Sequence, residues 1–388
     1  RRVEGVMKIK LAEDVITAND VQELTSWLSS TNRYTKGKET VAFEQEWSRW
    51  QGTKYSVFVN SGSSANLLIF LSLLYSGKLK NKKVVVPSVS WVTSISPAIQ
   101  LGFEPLLCDC NLDDLGFSVD DFEHLCKTHK PSVAMMVHVL GHSNKMKEIL
   151  EICEKYDVIL IEDTCEAPGS KFASQKLGTF GLASSFSFFY GHQMSTIEGG
   201  MVSTNDRDFY NIMLSMRSHG WLRDNEEYFR QKYLTEYNVS EFESQYFFVF
   251  PGLNIRSTDL NAFLGRGQVK KMDDFVTTRN ENYKKYYDKL SEKTWVQKSE
   301  AEPVSSMGFG IMNENRNNIV KELSASGVEC RPLICGSIQE HPFWNNLYEK
   351  RHLPNASLVH KNGFYIPCHQ QLGSEEIDYT CQIILNNL

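Results

Sequence analysis

The sequence predicts an α/β protein, with a large, mostly parallel αβα sandwich followed by a smaller C-terminal α/β domain. Between about residue 18 and residue 245, short apolar runs alternate with longer helical patterns, as parallel βαβ units with helices on both faces require. Near Thr258 the pattern changes to a long helical stretch reaching about Ser291, and a mixed α/β tail follows. At 388 residues the chain also exceeds what one core holds, since single cores stop growing near ~250–300 residues. Domains are therefore expected over 7–257 and 258–388. The strand candidates are Tyr55–Val59, Lys83–Val86, Val133–Val137, Val158–Ile161, Ser184–Phe188 and Met201–Ser203. Helical patterns such as Ala65–Tyr75 and Lys145–Tyr156 fit between them. Residues 222–248, rich in Glu, Tyr and Phe, read as an excursion between core elements, and excursions of that length often carry function.

Composition narrows the function classes. Apolar residues make up 41% and charged residues 23%, ordinary globular usage that excludes disordered and fibrous architectures. A net charge of −6 with no long basic run argues against nucleic acid or an anionic membrane as partner, because both need clustered Lys and Arg. The nine cysteines contain no C-x-x-C pair, and their odd count fits reduced thiols better than a disulfide framework. Cys108 and Cys110 have no second pair to complete a four-ligand site, so no metal is expected. No apolar run approaches the ~20 residues of a membrane span, and the R-R-V-E-G-V-M-K-I-K start lacks the apolar stretch of a signal peptide. A cytoplasmic protein with a small-molecule substrate is expected. Residues before Met7 carry no weight in this reading.

Chemistry is concentrated in four segments. In V-F-V-N-S-G-S-S-A-N-L-L a strand ends at Asn60 and a helix opens after Ser61-Gly62-Ser63-Ser64. Free N–H groups at such a helix start can seat a phosphate, although the same residues also serve as an ordinary turn and cap. In V-I-L-I-E-D-T-C-E-A-P-G an apolar strand ends in Glu162, Asp163 and Glu166. Ligands of open parallel sheets gather at the carboxyl ends of strands, whereas acids that merely cap the next turn are about as common. S-S-F-S-F-F-Y-G-H-Q-M-S-T-I-E-G-G-M delivers Ser187 and then His192 ahead of a Gly199-Gly200 turn. A lone histidine is more often a satisfied core or surface side chain than a catalyst. V-F-P-G-L-N-I-R-S-T-D-L-N-A-F-L-G places Asn254 and Arg256 in a turn before the long helix, with a helix cap at Ser257 or Thr258 as the simpler role.

In this order, and together with T-K-G-K-E-T-V-A-F-E at Thr35, V-P-S-V-S-W, R-S-H-G-W and V-E-C-R-P, the segments resemble the nucleotide-sugar aminotransferases and dehydratases of the fold-type I pyridoxal-phosphate enzymes. The likeness spans nearly the whole chain. It implies pyridoxal or pyridoxamine phosphate as cofactor, with Gly62, Ser63 and Ser187 on the phosphate and Trp91 stacked on the pyridine ring. By the same resemblance Asp163 pairs with the pyridine nitrogen and keeps it protonated, and Glu166 neighbours a substrate or cofactor oxygen. Asn254 matches a residue that reaches the phosphate from the partner subunit, which implies a homodimer with shared active sites. Arg256, beside it, is a substrate-binding candidate, and His219 in R-S-H-G-W matches a second active-site histidine.

The departure from the aminotransferase pattern is His192, where those enzymes carry lysine, because only a primary amine tethers the resting aldehyde cofactor. Histidine there is the hallmark of the family's sugar 3-dehydratases. The implied activity is that of a lyase: removal of the C3 hydroxyl from a nucleotide-linked 4-keto-6-deoxy sugar, giving a 4-keto-3,6-dideoxy sugar. His192 would act as base and then acid, and glutamate would regenerate the cofactor amine. An ordinary histidine pKa near ~6.5 suits that shuttling better than a lysine near ~10.4. The resemblance points to surface-polysaccharide, O-antigen or lipopolysaccharide sugars. Two other readings stay open, an aminotransferase of the same fold and a non-catalytic sugar-nucleotide-binding protein. An iron–sulfur branch of the dehydratases is disfavoured, since no cysteine lies between Cys165 and Cys330.

Overall fold

In the computed structural model, which describes residues 2–3 and 6–388, an α/β layer is built on a seven-stranded sheet. Residues 1, 4 and 5, within the stretch before Met7 that the sequence reading sets aside, lie outside the described residues. Two helices lead in, α1 (Ala18–Ser30) and α2 (Lys38–Gln51). The sheet strands follow as β1 (Tyr55–Val59), β2 (Lys83–Pro87), β3 (Glu104–Cys108), β4 (Val133–Val137), β5 (Ile159–Asp163), β6 (Ala183–Ser187) and β7 (Gly200–Thr204). Their spatial order is β1-β7-β6-β5-β4-β2-β3, and only β7 runs against its neighbours.

Why these strands form is visible in β4, Val-Ala-Met-Met-Val. Val133, Met135 and Val137 join one apolar cluster, while Ala134 and Met136 join another on the opposite face. Successive side chains point to opposite faces, so a strand covered by helices on both sides reads as a continuous apolar run. The expected strands are all present. The sequence reading missed β3, where Pro105 interrupts the pattern; β3 lies at the sheet edge, where a residue without an N–H is tolerated.

Helix α3 (Gly62–Tyr75) is apolar nearly all round and packs against β6, β7 and the helix α4 (Arg207–Arg217). Residues 222–248 form a helix, α5 (Glu227–Glu236), and a 3-10 turn bearing Phe242 at 81% exposure. The long helical stretch expected from Thr258 is two helices, α6 (Asp259–Val269) and α7 (Met272–Leu290). Between them the Lys271 N–H donates to the Gln268 carbonyl at 2.9 Å, closing a tighter turn, and the Lys271 ammonium is held on Asp20. Thr258 caps α6 as expected. Asp259 caps α2 across the fold, accepting from the N–H groups of Gly37, Glu39 and Thr40.

The tail forms an antiparallel sheet of β8 (Trp295–Val296), β9 (Gly308–Met312), β10 (Arg331–Pro332) and β11 (Gly363–Pro367), ordered β8-β9-β11-β10. Its core includes Tyr286 and Leu290 of α7. Ile9 also joins it, through a bridge to Val328, so the chain's beginning packs with its end. Among the described residues no helix is long and apolar enough to cross a membrane.

Candidate active site

Parallel strands β1, β2, β4, β5 and β6 all end on one side of the sheet, and a cavity of about 460 Å³ opens there. Seven residues singled out from sequence line it: Gly62, Ser63, Trp91, Asp163, Glu166, Ser187 and His192.

The phosphate seat expected at α3 has a steric signature. Ser61 caps the helix, its hydroxyl accepting from the Ser64 N–H at 3.0 Å, and Ser63 donates to the Thr93 hydroxyl at 2.9 Å. Glycine at position 62 allows a close approach, because a Cβ there would lie 2.6 Å from Ser187 Cβ and 3.2 Å from Cys165 Sγ. The helix start and the end of β6 are thereby drawn together, and both face the cavity.

Asp163 closes β5, and the alternation of the strand turns it toward the cavity while Glu162 turns away. Glu162 is fully buried; it pairs with His138 Nε2 at 3.2 Å and accepts from the N–H groups of Gly178, Phe180 and Gly181. Its role is to hold the turn leading into β6. Asp163, 5% exposed, accepts at Oδ2 from Asn66 Nδ2 (2.9 Å) and the Ser94 hydroxyl (2.6 Å), and at Oδ1 from the Cys165 N–H (3.1 Å). Trp91, unlike a core tryptophan, is 57% exposed and lines the cavity.

Glu166 is 7% exposed and accepts from the Leu140 N–H at 2.6 Å. Burial pushes its pKa up to about 8, against the Leu140 hydrogen bond, and Asp163 pushes in the same upward direction. It therefore carries a proton at neutral pH. His192 lies at the cavity wall, partly open to it and otherwise dense with protein, and its Nδ1 is buried without a hydrogen-bond partner. Burial lowers its pKa to about 4; Asp163 opposes the shift, Arg279 adds to it, and the Cys165 main chain opposes it. Sequence reasoning expects an ordinary imidazole; the pocket instead keeps it neutral, a proton acceptor at physiological pH. No lysine lines the cavity among the described residues.

His219, Asn254 and Arg256 do not line this cavity. Asn254 is exposed, its Oδ1 accepts from Arg256 Nε at 3.0 Å, and it bridges to Ser218 beside His219, whose ring packs on Trp221. Sequence reasoning named as site residues neither Asn66 and Ser94, nor Glu329 and Arg331 at the edge of the small sheet, nor Tyr365 within it. Asn66 has a signal, a lone amide inside the apolar A-N-L-L-I-F-L run of a buried helix. Glu329 and Arg331 lie in V-E-C-R-P, a segment of the resemblance that no local pattern ties to the cavity, and Tyr365 has no signal, because it arrives from the far end of the chain.

Residues 14–385 match the model of the DegT/DnrJ/EryC1/StrS aminotransferase family. The chain belongs to that family. GDP-4-keto-6-deoxy-D-mannose 3-dehydratase of Escherichia coli O55:H7 is 31% identical over 363 residues, 90% of this chain and 93% of the relative. A solved GDP-4-keto-6-deoxymannose-3-dehydratase, a histidine-to-asparagine mutant with bound GDP-perosamine, superposes with a TM-score of 0.89 at 29% identity, over 97% of this chain and 100% of that one. The same enzyme with a trapped PLP-glutamate geminal diamine gives a TM-score of 0.88 at 29% identity, over 97% of this chain and 100% of that chain. These likenesses agree with the expected family and fold, down to the mostly parallel sheet.

Proposed function

We propose that this protein is a pyridoxal-phosphate-dependent 3-dehydratase that removes the C3 hydroxyl of a nucleotide-linked 4-keto-6-deoxy sugar, with GDP-4-keto-6-deoxymannose the first substrate to test. The observation that carries the reading is His192 at the cavity wall, in a cavity that no lysine lines among the described residues. A family member built to transaminate needs an amine there to tether its cofactor.

The residues present fit that cofactor. The glycine-tight helix start beside Ser187 suits a phosphate, exposed Trp91 offers a ring face, and Asp163 is held in orientation by three donors. When bound, pyridoxamine phosphate supplies an amine for the sugar's C4 ketone and a ring that draws electrons from the substrate. Gly62, Ser63 and Ser187 would hold the phosphate, Trp91 would stack on the ring, and Asp163 would pair with the ring nitrogen. His192, neutral, accepts a proton on the cavity side and returns it to the departing C3 hydroxyl. Glu166, whose pKa burial raises to about 8, would offer a hydrogen bond to a ligand in the cavity. Glutamate is the proposed amino donor.

Asn254, with His219 and Arg256 nearby, is assigned to the active site of a second subunit, which makes the working form a homodimer. The exposure of Asn254 and its position off its own chain's cavity support that assignment. The cytoplasm, surface-polysaccharide sugars and the domain division at 257/258 complete the proposal. The test is incubation with pyridoxal phosphate, glutamate and GDP-4-keto-6-deoxymannose, followed by product mass. Loss of one oxygen from the sugar with release of ammonia is expected. A stable amino sugar, or no turnover with cofactor bound, overturns the reading.

A further inference from the structure

Arg279 of α7 is 2% exposed, and no carboxylate lies within ion-pair distance of it among the described residues. Burying a cation without a counter-ion is costly, so a fold that keeps one gains something from its place. Every partner of its guanidinium is neutral. Nε donates to Gln370 Oε1 at 2.6 Å, one terminal nitrogen to the Ser306 carbonyl at 2.8 Å, and the other to the carbonyl of His192 at 3.4 Å. The next residue is gripped by the same group of side chains. Gln370 Nε2 donates to the Gln193 carbonyl at 3.1 Å, and Gln193 Nε2 donates to the carbonyls of Glu166 (2.8 Å) and Ser305 (2.9 Å).

We propose that Arg279 is a positioning residue of the active site: from behind the cavity wall it fixes the main chain of His192, and its uncompensated charge beside that carbonyl biases the state in which the histidine meets the substrate. The proposal rests on the reading of His192 as the proton carrier. It extends that reading to a side chain that touches neither substrate nor cofactor. The groups acting on the imidazole come from separate elements: Asp163 at the end of β5 favours the charged ring, Arg279 on α7 disfavours it, and Glu166 on the turn after β5 is protonated. Burial alone lowers the histidine, and the guanidinium works in the same direction. An adjacent like charge is a recognised way to keep a base unprotonated at working pH.

The fork and the charge separate by substitution. Arg279→Lys keeps the charge and loses the fork; Arg279→Gln keeps donors and loses the charge. Gln370→Glu leaves Arg279 in place and neutralises it from a part-exposed position. The readout is the titration of His192 in carbon-13 histidine-labelled protein, with its signal assigned by loss in His192→Asn. Arg279→Gln and Gln370→Glu should each raise the His192 pKa by about half a unit or more, and Arg279→Lys should leave it near the parent value. In the dehydration assay the acid limb of the kcat profile should move with the titration, and Arg279→Lys should lower kcat without moving that limb. If His192 titrates unchanged in whichever of the two charge-neutralising variants folds, the proposal is overturned. If the titration moves while dehydration is never seen, Arg279 stands and the dehydratase reading falls.

Discussion

Gly62→Ala separates the cofactor seat from the stability of the fold. The added Cβ meets Ser187 Cβ at 2.6 Å and Ser187 Oγ at 3.0 Å. A Cβ is fixed by its backbone, so no rotamer change relieves the contact. The start of α3 and the end of β6 must part by a few tenths of an ångström. Overpacking of this kind costs ~1–3 kcal/mol, and alanine returns up to ~1 kcal/mol over glycine in a helix, leaving a net loss of ~0–2 kcal/mol and a Tm change of about 4 °C or less. Cofactor binding is more sensitive, because the phosphate needs Ser187 and the helix N–H groups in register. Losing one hydrogen bond to a charged group costs ~1.5–3 kcal/mol, roughly a 10- to 100-fold rise in Kd. Where no lysine forms a covalent link, that Kd is an equilibrium quantity, readable by fluorescence titration with pyridoxal phosphate. An affinity within twofold of the parent, alongside an intact fold, would refute the assignment of this turn to the phosphate.

Glu166→Gln tests the buried proton. Burial raises the Glu166 pKa from 4.5 to about 8, so the folded state binds its proton more tightly than the unfolded state. That contribution is fully present below about pH 4.5 and is lost as the pH rises through about 8. The cofactor-free parent should lose stability, on the order of a few kcal/mol, relative to Glu166→Gln between about pH 5 and 9, and parallel urea-unfolding curves would contradict this. Asn66→Ala removes one of the two donors to Asp163 Oδ2 and a bond to the Thr93 carbonyl. Chemical denaturation should register ~1–3 kcal/mol, with cofactor affinity falling alongside it. His192→Lys should create a borohydride-reducible cofactor adduct at position 192 and suppress dehydration, both checked by mass spectrometry. A parent protein that already forms such an adduct at another lysine would place the site elsewhere.

What was legible in the sequence follows from locality. The strands of the sheet centre were legible because both of their faces are buried, which leaves an unbroken apolar run such as V-A-M-M-V. The edge strand β3 was not, because Pro105 reads as a breaker unless the neighbour it lacks is known. The long helix divides at the Gln268–Lys271 turn, where Lys271 also pairs with Asp20, some 250 residues away, a contact that no local pattern carries. Gly62 and Ser63 open a helix and Asp163 and Ser187 end strands, positions where ligands of parallel sheets gather, whereas Trp91, Glu166 and His192 lie on the turns beyond and take their roles from the order of the segments and the family resemblance. The depressed basicity of His192 was not legible, since burial lowers it and Arg279, 87 residues on in α7, adds to the shift.

Exchanging the tethering lysine for an imidazole moves the whole task of holding the cofactor onto noncovalent contacts, and such contacts work only if the elements bearing them keep their register. Ser185 pairs with Asp163 in the parallel ladder of β5 and β6, so the register of these two strands fixes how far Ser187 stands from the carboxylate. That register is held from beneath by Glu162, which lies on the opposite face of β5 and takes the N–H groups of Gly178, Phe180 and Gly181 just before β6 begins. His138, at the end of β4, completes the support through its 3.2 Å contact with Glu162. A buried carboxyl group serving three backbone donors is hard to slide, because any slip strands its oxygens and three N–H groups out of water. The same strand therefore offers one acid to the cavity and uses the adjacent one to fix where the cavity's opposite wall stands. Two neighbouring acids that look alike in I-E-D-T thus divide, by the alternation of a single strand, into one that faces the cavity and one that sets where the cavity's opposite wall stands.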